Sequence, residues 1–153
     1  MSLVVNLRPL WAKIKRDRYK HLIDESASPE QIVEDKDLSK LGDTLLNFLY
    51  SLSLSVSRGT PQGRKIPNSV LAKAISGSRH SEMIPRRSDK HRKGDVVESI
   101  FAYAWLRGDL RIRESIDFLH SITGDDFTTE QYAEALGHLL DKTLNEMGIP
   151  EDA

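Results

Sequence analysis

Apolar positions in this chain recur at steps of three and four and almost nowhere alternate at two, so the pattern predicts helices and no sheet. A first helix is predicted from about Leu10 to Ile23, and Ser28-Pro29-Glu30-Gln31 reads as the start of a second, with a capping serine and a glutamine that closes the box. The clearest helix runs from about Leu38 to Val56. Leu38, Leu41, Leu45, Leu49, Leu52 and Val56 recur along one face, which is expected to meet the core. Arg58-Gly59-Thr60-Pro61-Gln62-Gly63 breaks the pattern as a loop. A short helix from about Ser69 to Ser76 follows, then a polar stretch from Arg86 to Gly94. Further helices are expected over Asp95 to Leu106 and Leu110 to Thr123. A last one opens at Thr128-Thr129-Glu130-Gln131, buries Tyr132, Leu136, Leu139, Leu140 and Leu144, and stops at Gly148-Ile149-Pro150. With no repeat and no linker, the expectation is an all-α fold, a single helical-bundle domain covering residues 1–153.

Composition narrows this picture. The 153 residues are 39% hydrophobic and 29% charged, enough for one core and unlike a disordered chain. The absence of cysteine excludes disulfides, cysteine-zinc sites and thiol catalysis. No apolar run approaches the roughly 20 residues of a membrane span. Leu3-Val4-Val5 lacks the flanks of a signal peptide, so a mature cytosolic protein is expected. The net charge of -1 means that a nucleic-acid site would have to concentrate its cations locally.

Acids stand where a purely structural helix would avoid them. Asp43 lies in Leu41-Gly42-Asp43-Thr44-Leu45 among apolar residues, and both glycine and aspartate disfavour a helix interior. Side by side, they suggest a close backbone approach and a functional acid. Asp95 and Glu98, in Gly94-Asp95-Val96-Val97-Glu98-Ser99-Ile100-Phe101-Ala102, are three apart and share one helix face. If the two helices pack together, three carboxylates converge, and such a cluster calls for a cation. Magnesium suits oxygen ligands and activates water for phosphodiester hydrolysis. The plainer alternative places Asp95 and Glu98 in a first helical turn, where they would only complement the helix dipole.

Leu41-Gly42-Asp43-Thr44-Leu45-Leu46 resembles the signature of the ribonuclease III family, and Gly94-Asp95-Val96-Val97-Glu98-Ser99-Ile100-Phe101-Ala102-Tyr103 resembles its second acidic motif. The order is the family's, the separation is somewhat short, and the likeness covers about residues 38–119. It implies that Asp43, Asp95 and Glu98 are catalytic and bind Mg2+, with Mn2+ as a substitute. It also implies a homodimer with double-stranded or structured RNA as its substrate. The compact layout without a double-stranded-RNA-binding domain is similar to the mini-ribonuclease III branch or an archaeal-type group. Ser39 stands where standard members carry a glutamate, which the mini branch also lacks. Asp35 or Asp37 would either substitute for it or simply begin the helix in solvent.

Basic residues gather just before the acidic pair. Arg86, Arg87, Lys90, Arg92 and Lys93 fall within eight residues, opposed only by Asp89, and are the expected RNA-binding set. A solvated loop is the plainer account of the same charges. Arg58, Arg64 and Lys65 make a second, looser group. His80 and His91 are left out of the catalytic set, His21, His120 and His138 are expected to be structural, and Trp11 and Trp105 to lie in a core or an interface. Two rival functions remain: an inactive ribonuclease III-like RNA-binding or scaffold dimer, and an all-α nucleotide pyrophosphohydrolase. The apolar face of the 38–56 helix is the expected dimer contact.

Overall fold

The computed structural model describes residues 18–153. The predicted helix from Leu10 to Ile23, with Trp11, falls mostly outside them. Within them, residues 18–20 are helical and a turn follows where the prediction continued the helix. Six α-helices are described: α1 (Pro29–Glu34), α2 (Lys36–Arg58), α3 (Asn68–Ser76), α4 (Lys90–Arg107), α5 (Ile112–Thr123) and α6 (Thr129–Glu146), with a 3-10 turn at Ser81–Met83. No strand occurs among the described residues, and the fold is all-α. No described helix is long and apolar enough to cross a membrane.

Local chemistry sets most of the ends. Ser28 and Gln31 close a capping box on α1, as Thr128 and Gln131 do on α6. Gly59, at φ 71°, ends α2 in the left-handed conformation that a residue with a Cβ resists. The expectation differs from the structure at the start of α4. Asp89 caps that helix by accepting from the Arg92 amide at 2.8 Å, so residues 90–94, read as part of a polar stretch, are helical. Asp95 and Glu98 therefore lie beyond the first turn, and the dipole account of this pair loses its basis.

α4 is the axis of the core. Val96, Val97, Ile100, Phe101, Ala102 and Ala104 are wholly buried, so this helix is covered on every side. α2 lies along it, while α1, α3 and α6 fill the remaining sides. Tyr132 of α6 lies edge-on to Tyr50 of α2, with ring centroids 5.0 Å apart, and its hydroxyl and Ser53 Oγ share a hydrogen bond of 3.0 Å.

The core face of α2 matches the predicted one only in part. Leu38, Gly42, Leu46, Leu49, Tyr50, Ser53 and Leu54 are buried, whereas Leu41 and Val56 are 45% and 54% exposed and Leu45 and Leu52 are half-buried. The helix is apolar on two faces, so spacing alone did not say which one packs. Gly42 decides it. A Cβ there would stand 1.9 Å from the Glu98 carbonyl oxygen, so the α2 and α4 backbones touch at this point.

Replacing Gly42 by alanine should therefore destabilise the protein by about 3 kcal/mol or more, because backbone rather than a side chain must move. Gly137→Ala, whose Cβ would lie 3.0 Å from the Ala74 carbonyl oxygen, should cost distinctly less. Urea denaturation compares them, and a Gly42→Ala protein as stable as wild type would show that the contact is not tight.

Candidate active site

The touching backbones carry the acids with them. Gly42 rests on the Glu98 backbone, Asp43 is its neighbour on α2, and Asp95 lies one turn before Glu98 on α4. Glu98 is 6% exposed, and Asp43 and Asp95 are half-buried. Burial, then the charges of Asp43 and Asp95, push the Glu98 carboxyl up to about 8. Lys65 is the cation that opposes this rise.

Uncharged groups lie beside these acids. Asn47, one turn after Asp43, donates to Asp43 Oδ1 at 3.4 Å and accepts from the Ile66 amide at 2.9 Å. Gly94 leaves space beneath Glu98: a Cβ there would stand 3.7 Å from Glu98 Oε1 and 3.8 Å from Asn68 Oδ1. The Asn68 amide nitrogen lies 3.2 Å from His91 Nδ1, which brings a histidine to the same edge. Sequence spacing marked Asp43, Asp95 and Glu98 but not Asn47 or Asn68, and placed Lys65 only in a loose basic group. The one available signal was the step of four from Asp43 to Asn47.

Among the described residues, no three acidic or histidine side chains are already closed at metal-ligand spacing. The chemistry of these donors is that of hard oxygen ligands: Glu98 feels the charges of Asp43 and Asp95, with Lys65 acting against them. Magnesium keeps several of its waters, which allows carboxylates to hold it without meeting at one point. Asp35 is occupied otherwise, since its side chain caps α2 and accepts from the amides of Asp37 and Leu38 at 3.0 Å each.

The basic run divides. Arg86 and Arg87 form the exposed turn before α4, with Arg87 at φ 59°, and Lys90 is exposed at the first helical position. Lys93 is half-buried. Arg92 is engaged elsewhere, donating to Glu34 Oε1 at 2.9 Å and to the Val33 carbonyl at 3.2 Å, which ties α4 to α1. His80 is a structural residue, with Nδ1 2.7 Å from Asp141 and Nε2 3.1 Å from the Ile149 carbonyl.

Two helices thus meet at a glycine contact, with one acid beside it on the first and two on the second. A family model described as Ribonuclease III matches residues 36–149, which is most of the chain. The chain belongs to the ribonuclease III family. No match was found among curated proteins.

Glu98 ionises near 8 in the fold and near 4.5 in a free carboxyl. Between those values folding takes up a proton, so stability falls as pH rises through the window and stays low above it. Glu98→Gln keeps the shape without the charge. In metal-free protein it should raise Tm by about 3 °C at pH above 8 and change it little below pH 4.5. Equal shifts at both ends, read by calorimetry, would show that Glu98 charge does not strain the fold.

Proposed function

We propose that this chain is a magnesium-dependent endoribonuclease that hydrolyses phosphodiesters in double-stranded or structured RNA and works as a homodimer. The reading is supported by the contact of Gly42 with the Glu98 backbone, which sets the helix carrying Asp43 against the helix carrying Asp95 and Glu98 in a ribonuclease III family chain. Asp43, Asp95 and Glu98 are the residues that would hold magnesium. When bound, the ion would supply polarisation of the phosphodiester and an activated water. The protein's own groups orient the site: Asn47 holds the Asp43 carboxylate, and the closed helix contact excludes bulk water from Glu98.

Arg86, Arg87, Lys90 and Lys93 are the cations available to lead a phosphate backbone toward these acids, Arg92 being occupied by Glu34. Duplex RNA is read through shape, phosphate and 2′-hydroxyl contacts, so no aromatic platform is required. One copy offers few contacts, and a two-fold pair would place one centre on each strand.

Support for the pair comes from the outer face of α2. Leu41, Leu45 and Phe48, with Thr44, Ala102 and Trp105, line an apolar groove of about 260 Å3. Leu41 is 45% and Phe48 52% exposed, an apolar patch that solvent disfavours. This face lies about half a helical turn from Asp43 and Asn47, so a partner seated on it would leave the acids accessible. An inactive RNA-binding dimer remains the second reading, and Ser39 in place of the family's usual glutamate favours it.

Two measurements test the proposal. With magnesium, wild-type protein should cleave duplex RNA, and Asp43→Ala with Glu98→Ala should lose at least about 100-fold in rate while the fold persists. Duplex binding without cutting by the wild type would support the second reading instead. Leu41→Asp with Phe48→Asp should shift the protein from dimer to monomer in light scattering, and a mutant that keeps dimer mass would move the interface elsewhere.

A further inference from the structure

Thr60 to Pro67 has no regular secondary structure, yet it is held to α2 along its length. Asn47, Ser51 and Ser55, one turn apart, meet alternate residues of the returning chain. Asn47 accepts from the Ile66 amide at 2.9 Å. Ser51 Oγ accepts from the Arg64 amide at 2.8 Å and donates to the Arg64 carbonyl at 2.9 Å. Ser55 Oγ accepts from the Gln62 amide at 2.9 Å and donates within α2 to the Ser51 carbonyl at 2.8 Å. Three polar side chains thus act as rungs that fix an otherwise open segment, and the buried Ile66 plugs its end into the core.

Lys65 stands between the rungs at Arg64 and Ile66. It is exposed, makes no salt bridge among the described residues, and is the basic group whose charge reaches Glu98. The ladder sets the Lys65 backbone one residue from Ile66, whose amide is bonded by the same Asn47 that donates to Asp43, and a surface ion pair with the acids would contribute little to stability. The rung nearest to it, Asn47, also bonds Asp43. One side chain therefore sets both the acid and the arm that carries the lysine.

We infer that Lys65 is a catalytic residue whose ammonium contacts a non-bridging oxygen of the scissile phosphate, and that Asn47, Ser51 and Ser55 are positioning residues that hold it there. The assignment rests on the proposed hydrolytic reading of the same site. In that reaction the water oxygen forms a bond to phosphorus, the bond from phosphorus to the leaving sugar oxygen breaks, and a proton from water ends on the leaving oxygen. Negative charge accumulates on the phosphoryl oxygens on the way, and a fixed ammonium there stabilises it more than it stabilises the bound substrate. A point charge with three donors suits that role, and the ladder removes the need to order the loop as the reaction proceeds.

Because the arm is exposed, Lys65 variants should fold normally. Lys65→Ala should lower kcat for duplex RNA by about 100-fold with KM little changed, and Lys65→Arg should recover much of the loss. Ser51→Ala, which frees the arm without touching an acid, should lower kcat by about 10-fold at unchanged KM. Manganese(II) binding alone, followed by calorimetry without RNA, supplies a readout independent of turnover. Removing a positive charge beside the carboxylates should tighten it by up to about 10-fold in Lys65→Ala. Wild-type kcat in Lys65→Ala, or manganese binding no tighter than wild type, would overturn the assignment. If wild type cuts RNA and Asp43→Ala does not, those outcomes strike Lys65 alone; if wild type neither cuts nor binds manganese, the hydrolytic reading falls and Lys65 with it.

Discussion

The structure turns on one place where two backbones touch. With no side chain at Gly42, α2 settles directly on the Glu98 carbonyl of α4. Packing elsewhere follows from that contact: α4 is buried on every side, and α2 presents the face carrying Gly42, Leu46, Leu49 and Ser53 to it. The acids follow as well, since Asp43 and Glu98 are bonded to, or part of, the residues in contact. A larger residue at position 42 would separate the helices and the carboxylates together. Stability and chemistry are thus tied to the same missing methyl group.

Around this contact the protein accepts a local electrostatic conflict. Glu98 is buried beside two other acids, and its carboxyl is driven far above its ordinary range. Natural folds keep such conflicts where function requires them and satisfy the neighbouring groups elsewhere. Here Asp35 and Asp89, also acidic, are placed as helix caps, and Arg92 is paired with Glu34. The unbalanced charge is left around Glu98, where Asp43 and Asp95 both act on its carboxyl.

α2 serves three surroundings at once. Its glycine-centred face packs on α4, its Asn47-Ser51-Ser55 stripe grips the returning loop, and its Leu41-Leu45-Phe48 stripe stays largely uncovered. A 23-residue helix has circumference enough for all three, at about 100° per residue. Apolar residues on two of these faces explain why the predicted core stripe, with Leu41 and Val56, proved to include exposed positions.

Much was legible in the chain alone, because periodicity, caps and breakers are short-range properties. The helical class, most helix spans, the capping box at Ser28 and the helix start at Thr128 follow from residues a few positions apart. The glycine next to Asp43 even signalled a close approach. Other features depend on residues far apart in sequence, and only the tertiary structure decided them. Which face of α2 is buried, how Asn47 meets Ile66, why Arg92 is withdrawn from the basic run and how Lys65 comes to oppose Glu98 all arise from packing. Local rules name what a side chain can do; the neighbour it meets is chosen by the way the helices close on one another.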